Sequence, residues 1–455
     1  MLRYLTAKIQ QISPGLRKII SNFGWLFADR VLRMGVGLIV TAWLARYLQP
    51  EQFGILNYAI AFTGLFGTIA ALGLDQIVVR NIVSEPATKD ETLGTAFALK
   101  LCSGLATFFL ATVTIFFLKP DDLQARALTA IIAACLVFDS LNVIDFYFQA
   151  KVQSKYTVWA RNTAFIIITL VRIALIQSQA PLIAFAWAVL AEVGLGALTL
   201  AIAYKISGEN MLQWRINFTQ AKALLKESWP LILSNLAIMV YLRIDMVMLG
   251  QLADEPSVGI YSSAIRLSEV WNFIGIAIVS SVTPSIVEAK KTSEELYYQR
   301  FQKLFNLMAL LSYSIAIPIT FLSSFLVVLV FGSDYASAGE VLRIHIWAGL
   351  FTFFGWSKGV WIVTEGYTLF SLFATSSGAV MNILLNWWLI PEFYRHNGAT
   401  GAAMAAAIAT VISYAFTDYI LCFIYPPARK LAGVMTRAIT LSYLLNKIQT
   451  RKTFR

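Results

Sequence analysis

The chain has 455 residues, of which 58% are hydrophobic and only 13% charged, with a formal net charge of +11. That composition excludes a soluble domain and identifies a polytopic membrane protein. It also argues against a nucleic-acid binder, because the basic residues are spread over loops and no basic soluble domain exists to carry a groove.

A helical span needs about 20 mostly apolar residues. Twelve such segments follow in chain order, at 21–45, 53–74, 93–118, 125–149, 156–176, 181–203, 228–251, 258–287, 304–330, 339–363, 368–390 and 398–423. Strands of a barrel would be half as long and would alternate in polarity. The expected fold is therefore an all-α membrane protein of twelve transmembrane helices. Residues 1–20 read as a cytoplasmic interfacial segment rather than a cleavable signal, since no apolar core and small-residue cleavage site precede the first span. Lys and Arg collect in cytoplasmic loops. Twenty-three of the 36 basic residues lie in alternate connections starting from the N-terminus, against Arg46, Lys119, Arg126 and Arg395 on the opposite side. Both termini are expected in the cytoplasm.

The first span carries Asp29, Arg30 and Arg33 near one helix face, a spacing that fits either a cationic contact for phosphate or an Asp29–Arg33 pair that lets the helix insert. Asn22 extends that stripe. Span three carries Lys100, left without an assigned role. Span four carries Asp139, Asn142, Asp145 and Gln149 within about a third of the circumference. Span five carries Arg161 and Arg172, eleven residues apart and within about 20° of each other on an ideal helix. The hairpin of spans four and five should pair Asp145 with Arg161. Glu192 in span six is either a coupling-ion site or the partner of Arg172.

The connection at 204–227 is the longest on the cytoplasmic side and divides the chain into two six-span halves. The expected organisation is an N-terminal bundle at 21–215, a C-terminal bundle at 216–424 and a basic cytoplasmic tail at 425–455, in which Leu431, Val434, Ile439, Leu441, Leu444 and Leu445 suit either a helix lying on an anionic leaflet or a partly disordered basic segment. A weak repeat with a 205-residue shift sets Phe53-Gly54-Ile55 on Val258-Gly259-Ile260, each preceded by an acidic turn, Pro50-Glu51 and Asp254-Glu255-Pro256.

In the second half, Ser234, Tyr241 and Asp245 share one face of span seven, with Arg243 roughly opposite. Arg266 and Glu269 lie three apart in span eight. An Asp245–Arg266 contact is expected, with Arg243 snorkelling or reaching another helix. Arg343 and Lys358 lie near the two ends of span ten, and Lys358 is expected to snorkel to the interface. Asp418 in span twelve has no local partner. Trp356, Trp361, Trp387, Trp388 and Tyr394 read as interfacial belt residues, while Trp187, Trp271 and Tyr241 are candidates to stack on sugar rings. Cys102, Cys135 and Cys422 read as packing residues. His345 and His396 are too few and too separate for a metal cluster, so no metal or cofactor is expected.

The runs Asp29-Arg30-Val31-Leu32 through Ala45-Arg46-Tyr47-Leu48-Gln49-Pro50-Glu51-Gln52-Phe53-Gly54, Leu72-Gly73-Leu74-Asp75 leading to Arg80, and Arg243-Ile244-Asp245 to Gly259-Ile260-Tyr261-Ser262-Ser263-Ala264 resemble bacterial polysaccharide-unit flippases. These form the polysaccharide branch of the multidrug/oligosaccharidyl-lipid/polysaccharide (MOP) exporter superfamily. The resemblance implies a pair of six-helix bundles that alternates access, no enzymatic activity, and a glycan on a polyprenyl diphosphate as cargo. It also implies an inner-membrane location and, as partners, the polysaccharide polymerase and chain-length machinery. The peptidoglycan-precursor branch carries an Arg-Asp pair about one turn beyond the Arg30-Val31-Leu32 match, where this chain has Val36-Gly37. That departure disfavours a peptidoglycan cargo.

Nine basic residues lie within the spans: Arg30, Arg33, Lys100, Arg161, Arg172, Arg243, Arg266, Arg343 and Lys358. Seven acids accompany them: Asp29, Asp139, Asp145, Glu192, Asp245, Glu269 and Asp418. A basic side chain at the bilayer centre costs roughly 2.5 to 3.5 kcal/mol, so these groups should face protein or a water-filled cavity. Arg30, Arg33, Arg161, Arg172, Arg243 and Arg266 are the candidates for an anionic diphosphate. Asp29, Asp139, Asp145, Glu192, Asp245 and Glu269 are candidate coupling or structural carboxylates, although most of the arginines should be paired. The alternatives are a cation-coupled drug exporter of the same superfamily, which would want an acidic aromatic cavity, and a membrane glycosyltransferase or polymerase, which would want a larger extramembrane loop.

Overall fold

The computed structural model describes residues 14–442, with the side chains of 14–23 and 26–28 excepted. Helices dominate, and no strand occurs among the described residues. Ten helical segments there are long and apolar enough to cross a membrane. Two of these ten segments are long, and each overlaps two of the expected spans. Asp29–Ser84 has 56 residues and Thr368–Ile424 has 57, against the roughly 20 that one crossing requires.

Helix α1, Pro14–Ala70, is interrupted at Gln49, whose φ of 60° lies in the left-handed region. Pro50 follows, and a residue before proline is pushed away from the α conformation. Helix α2 is Asp75–Ser84, α3 Lys89–Leu118 and α4 Leu123–Ala133. A short α5, Cys135–Phe138, runs through a 3₁₀ turn, Asp139–Asn142, into α6, Val143–Ala150. Helices α7, Lys155–Gln177, and α8, Leu182–Ile206, pack as a hairpin. Helix α9 is Phe218–Leu252, α10 Glu255–Glu269, α11 Asn272–Thr292, α12 Glu294–Phe331, α13 Ala338–His345 and α14 Ala348–Glu365. Helix α15, Thr368–Ala415, breaks at Gly398, where φ is 55°. It continues through a π turn, Phe416–Ile420, into α16, Leu421–Ile424, and α17 is Arg429–Ile439.

The chain forms two compact units. One comprises the chain up to Tyr47 together with Ala59–Leu236, and its core gathers Ile77, Val78, Leu93, Phe148, Leu200 and Tyr204. In this unit the 207–217 connection is clamped onto the start of α3. Arg215 N donates to the Asp90 carbonyl (3.2 Å), Asn217 N to Thr95 Oγ1 (3.0 Å), and Lys89 bridges to Glu209, which also accepts from Tyr147 Oη (2.7 Å).

The other unit comprises Leu48–Tyr58 and the chain from Ala237, with a core that includes Phe301, Phe305, Phe354, Trp361, Leu431 and Met435. Here the two copies of the repeat touch reciprocally. A side chain at Gly54 would run into the carbonyl of Glu255, and one at Gly259 into the carbonyl of Pro50. Glu255 stands 205 residues after Pro50, as Gly259 does after Gly54, so the contacts are images of each other. The Gln49 break likewise corresponds to Asp254, the extended cap of α10.

Two expectations are corrected in this unit. The apolar face of α17 does not lie on a leaflet: Leu431, Ala432, Val434, Met435 and Ala438 are buried, and the helix packs on α12. Arg437 Nε also donates to Gln302 Oε1 at 2.9 Å, and Tyr313 Oη to the Ile439 carbonyl at 2.9 Å. The amphipathic pattern is real, but protein rather than lipid covers it. Trp361 is no belt residue either, since it is fully buried with its ring 5.0 Å from that of Tyr367. Trp387 and Trp388 are exposed, as a belt requires. The expected interfacial segment at 1–20, Asn22, and Leu444 and Leu445 of the tail lie outside the described residues or side chains.

Candidate functional sites in the two units

The N-terminal unit gathers its charges into a connected chain. Helix α3 approaches the backbone of α5 closely at Gly104, where a Cβ would meet the Leu136 carbonyl oxygen at 2.5 Å. That approach brings Lys100, only 3% exposed, to Asp139 at 3.2 Å and over the Phe146 ring at 5.2 Å. The 3₁₀ turn sets Asn142 against Asp139, and Arg161 Nη2 donates to Asn142 Oδ1 (3.2 Å) and to Asp145 Oδ2 (3.1 Å). Thr157 Oγ1 (2.7 Å) and Gln149 Nε2 (3.1 Å) complete the shell of Asp145. The expected Asp145–Arg161 pair is therefore present. Lys100, which had no assigned role, is the partner of Asp139, a pairing between helices that local spacing does not reveal. Asp75 faces the same cluster. Its place directly after the Leu72–Gly73 turn is the signal in the sequence that points to it.

Arg172 meets Glu192 across the α7–α8 hairpin at 2.8 Å. Arg33 meets Asp29 at 2.8 Å and lies 5.0 Å over the Phe165 ring. These two arginines are thus engaged with carboxylates, and Glu192 is the partner of Arg172. Arg30 is exposed and forms no ion pair among the described residues.

In the C-terminal unit the expected Asp245–Arg266 contact is not formed. Asp245, 2% exposed, accepts instead from Tyr261 Oη (2.7 Å), Thr410 Oγ1 (2.8 Å) and Asn386 Nδ2 (2.8 Å). Tyr261 lies on α10, across the α9–α10 turn, and Thr410 on α15, so the face of α9 bearing Asp245 turns into the bundle rather than toward Arg266, which is exposed. Asn386 also donates to Asn382, while its own Oδ1 is buried without a donor. The result is a buried carboxylate held only by neutral groups, beside an acceptor that lacks a partner. An ionised carboxylate in such a place is costly, and a proton or a small cation would relieve both deficits at once.

Arg243 reaches Glu269 at 3.3 Å, which selects the reading in which it turns to another helix. Lys358 does not snorkel: it is buried and donates to Asp418 Oδ1 (2.7 Å) and to the Thr417 carbonyl (2.8 Å). Asp418, likewise, is paired. Of the ring-stacking candidates, Tyr241 is buried and stacked on Tyr414 at 4.5 Å, whereas Trp187 and Trp271 are exposed. Trp271, with Ser268, Asn272 and Ser312, lines a small cleft in this unit. His345 Nδ1 bonds Ser268 Oγ at 2.9 Å, a packing role.

Among known proteins, the chain is 21% identical over 403 residues to the probable low-salt glycan biosynthesis flippase Agl15 of Haloferax volcanii, covering 85% of this chain and 80% of that one. It is 19% identical to the capsular polysaccharide biosynthesis protein CapF of Staphylococcus aureus, covering 88% and 99%. An inward-facing multidrug resistance MATE family transporter of the MOP superfamily has a similar fold, with a TM-score of 0.67 at 16% identity over 89% of this chain and 95% of that one. So does the lipid II flippase MurJ in an inward closed conformation, with a TM-score of 0.66 at 14% identity over 94% and 93%. The MatE family profile matches residues 230–388. The profile described as polysaccharide biosynthesis protein matches residues 19–290, more than half of the chain, and the protein therefore belongs to that family, a polysaccharide transporter branch of the MOP superfamily.

Proposed function

We propose that this protein is a flippase that carries a polyprenyl-diphosphate-linked oligosaccharide repeat unit across the bacterial inner membrane for cell-surface polysaccharide synthesis. It crosses the membrane twelve times, with both termini cytoplasmic, and works by alternating access without covalent chemistry. The broken helices α1 and α15 supply two crossings each, which is what their lengths support.

The observation that carries this reading is the state of the embedded arginines. Arg33, Arg161, Arg172 and Arg243 are each opposed by a carboxylate, whereas Arg30 is exposed and forms no ion pair among the described residues, which makes it the first contact for phosphate; Arg266, by its exposure alone, is a further contact. Arg161, with 40% of its side chain exposed, is a secondary contact. A close phosphate contact at an effective dielectric near 20 contributes on the order of 4 kcal/mol. Asp245 is the coupling carboxylate, because it is buried without a cationic partner. Relatives named as a glycan flippase and a capsular polysaccharide protein support the class of cargo.

A deletion strain of the native host, complemented with the wild-type gene, tests the reading. The deletion strain should hold the lipid-linked unit on the cytoplasmic leaflet, and the wild-type gene should restore its delivery. Normal delivery in the deletion strain, with only polymer length altered, would rule out a flippase. Arg30→Ala and Arg266→Ala should each reduce delivery at unchanged protein level. A cation-coupled drug exporter is the second reading, favoured by the MatE profile over 230–388. Its signature would be drug sensitivity of the deletion strain with intact surface glycan.

A further inference from the structure

The C-terminal unit holds a second buried acid that the coupling role of Asp245 leaves unused. Asp418 sits in the π turn Phe416–Ile420, a distortion of the helix that is frequent at functional sites. Space for its ion pair is made by two glycines. A Cβ at Gly355 would meet the Asp418 carboxylate within 3.0 Å, and one at Gly378 would run into Thr417 Oγ1 and, at 2.8 Å, the Tyr241 ring. Lys358 and Asp418 are 4% and 8% exposed, and the hydroxyls of Thr417 and Tyr241 lie buried beside them, with Tyr241 within hydrogen-bonding reach of Asp418. The titratable groups facing the pair are Tyr241 from α9, Tyr414 from α15 and Cys422 from α16, whose Sγ lies 4.0 Å from the Asp418 carbonyl.

A buried polar track leads from this pair to Asp245. Asn386 bridges Asp245 and Asn382, Asn382 Nδ2 donates to Ser413 Oγ at 3.3 Å, and Ser413 stands one turn from Thr417. The Tyr241–Tyr414 stack runs alongside it, with Tyr414 within electrostatic reach of both Asp245 and Asp418.

We propose that the Lys358–Asp418 pair is a proton-exchange site, separate from Asp245, that links proton movement to the transport cycle proposed above. An alkali cation is a poor occupant, since the ammonium already fills the place beside the carboxylate. A proton fits. Uptake from one aqueous side forms an O–H bond on Asp418 and removes the countercharge of Lys358, which is then an unbalanced buried cation. Lys358 breaks one N–H bond, its proton leaves to the other side, and a neutral amine remains. Transfer of the Asp418 proton to that amine restores the ion pair, so one proton enters and one leaves per cycle. Breaking the pair also frees the Thr417 carbonyl and loosens α14 from the π turn, which ties proton occupancy to helix packing.

The test compares Lys358→Met, Asp418→Asn and the double variant in the deletion strain. If the pair serves only packing, the double variant, which buries no charge, folds and exports like wild type at every external pH. A proton-exchange site requires instead that the double variant accumulates and elutes as wild type, while export falls about tenfold, the factor that one pKa unit of coupling represents, and loses its dependence on external pH. Double-variant export equal to wild type overturns the proposal. If the double variant does not accumulate, infrared spectra of the wild-type protein in nanodiscs decide. A carboxylic-acid C=O band that appears on acidification and shifts in Lys358→Arg supports the site, and its absence overturns it. Failure of wild-type protein itself to restore export would instead refute the flippase reading.

Discussion

Lys100 and Asp139 form an unequal pair, and the inequality decides what their substitution costs. Lys100 is 3% exposed, whereas Asp139 keeps 37% of its side chain exposed. Asp139→Asn leaves an ammonium buried without a countercharge, and a loss of about 3 to 5 kcal/mol is expected for a broken buried pair. Lys100→Met leaves a carboxylate that water can reach and replaces the stem with apolar bulk, so a loss nearer 1 kcal/mol is expected. Thermal unfolding in detergent should rank the two in that order, and the reverse order would show that Asp139 is the more desolvated partner. The same reasoning separates Asp245 from its neighbours. Asp245→Asn keeps the shape and the neutral shell, so the protein should accumulate normally while export is lost. Export at wild-type level would remove Asp245 from the coupling role.

At the scale of elements, the reciprocal contact of Gly54 and Gly259 places two helices with backbone against backbone. Small residues permit such approaches in membranes, where packing rather than the hydrophobic effect drives association. Gly54→Leu and Gly259→Leu should each cost about 1 to 3 kcal/mol through overpacking, visible as a lowered unfolding temperature. A variant that leaves it unchanged would show that the crossing is loose. Helix α17 makes a contrasting prediction. Val434→Glu buries a carboxylate against α12 and should destabilise the fold, whereas a helix lying on lipid would lose only membrane affinity. The clamp at 207–217 adds a pH dependence. Burial raises the pKa of Glu209, but hydrogen bonds from Lys89 and Tyr147 outweigh it and hold the carboxyl below its ordinary value. Its stabilising contribution is therefore present above the unfolded-state pKa of about 4.3 and lost as pH falls through the lower folded value. Glu209→Gln should flatten the stability profile on that acid side, as read by unfolding temperature against pH.

For the whole molecule, the charge asymmetry of the loops makes a topological prediction. In intact cells of a variant cleared of native cysteines, a membrane-impermeant thiol reagent should label Arg395→Cys and spare Lys151→Cys. The opposite pattern would invert the orientation. Much of the architecture was legible because hydrophobic runs of span length have one dominant explanation. The helix hairpin carrying Asp145 and Arg161, and the Asp29–Arg33 pair, were legible because their partners are close in sequence. The pairs of Lys100, Lys358 and Asp418, and the neutral shell of Asp245, were not, since each joins helices separated by long stretches of chain.

Sequence by itself therefore determined the class of protein, the helical spans, the family and the near balance of embedded charges, all of which follow from composition and short-range spacing. Tertiary structure alone decided which carboxylate faces which cation. Pairing of charges in a low-dielectric interior depends on helix rotation and on backbone approaches such as those at Gly104, Gly355 and Gly378, and neither is encoded in periodicity. The same dependence is why Asp245, expected to meet an arginine, is surrounded by neutral donors, and why an amphipathic helix expected on lipid covers its apolar face with the bundle.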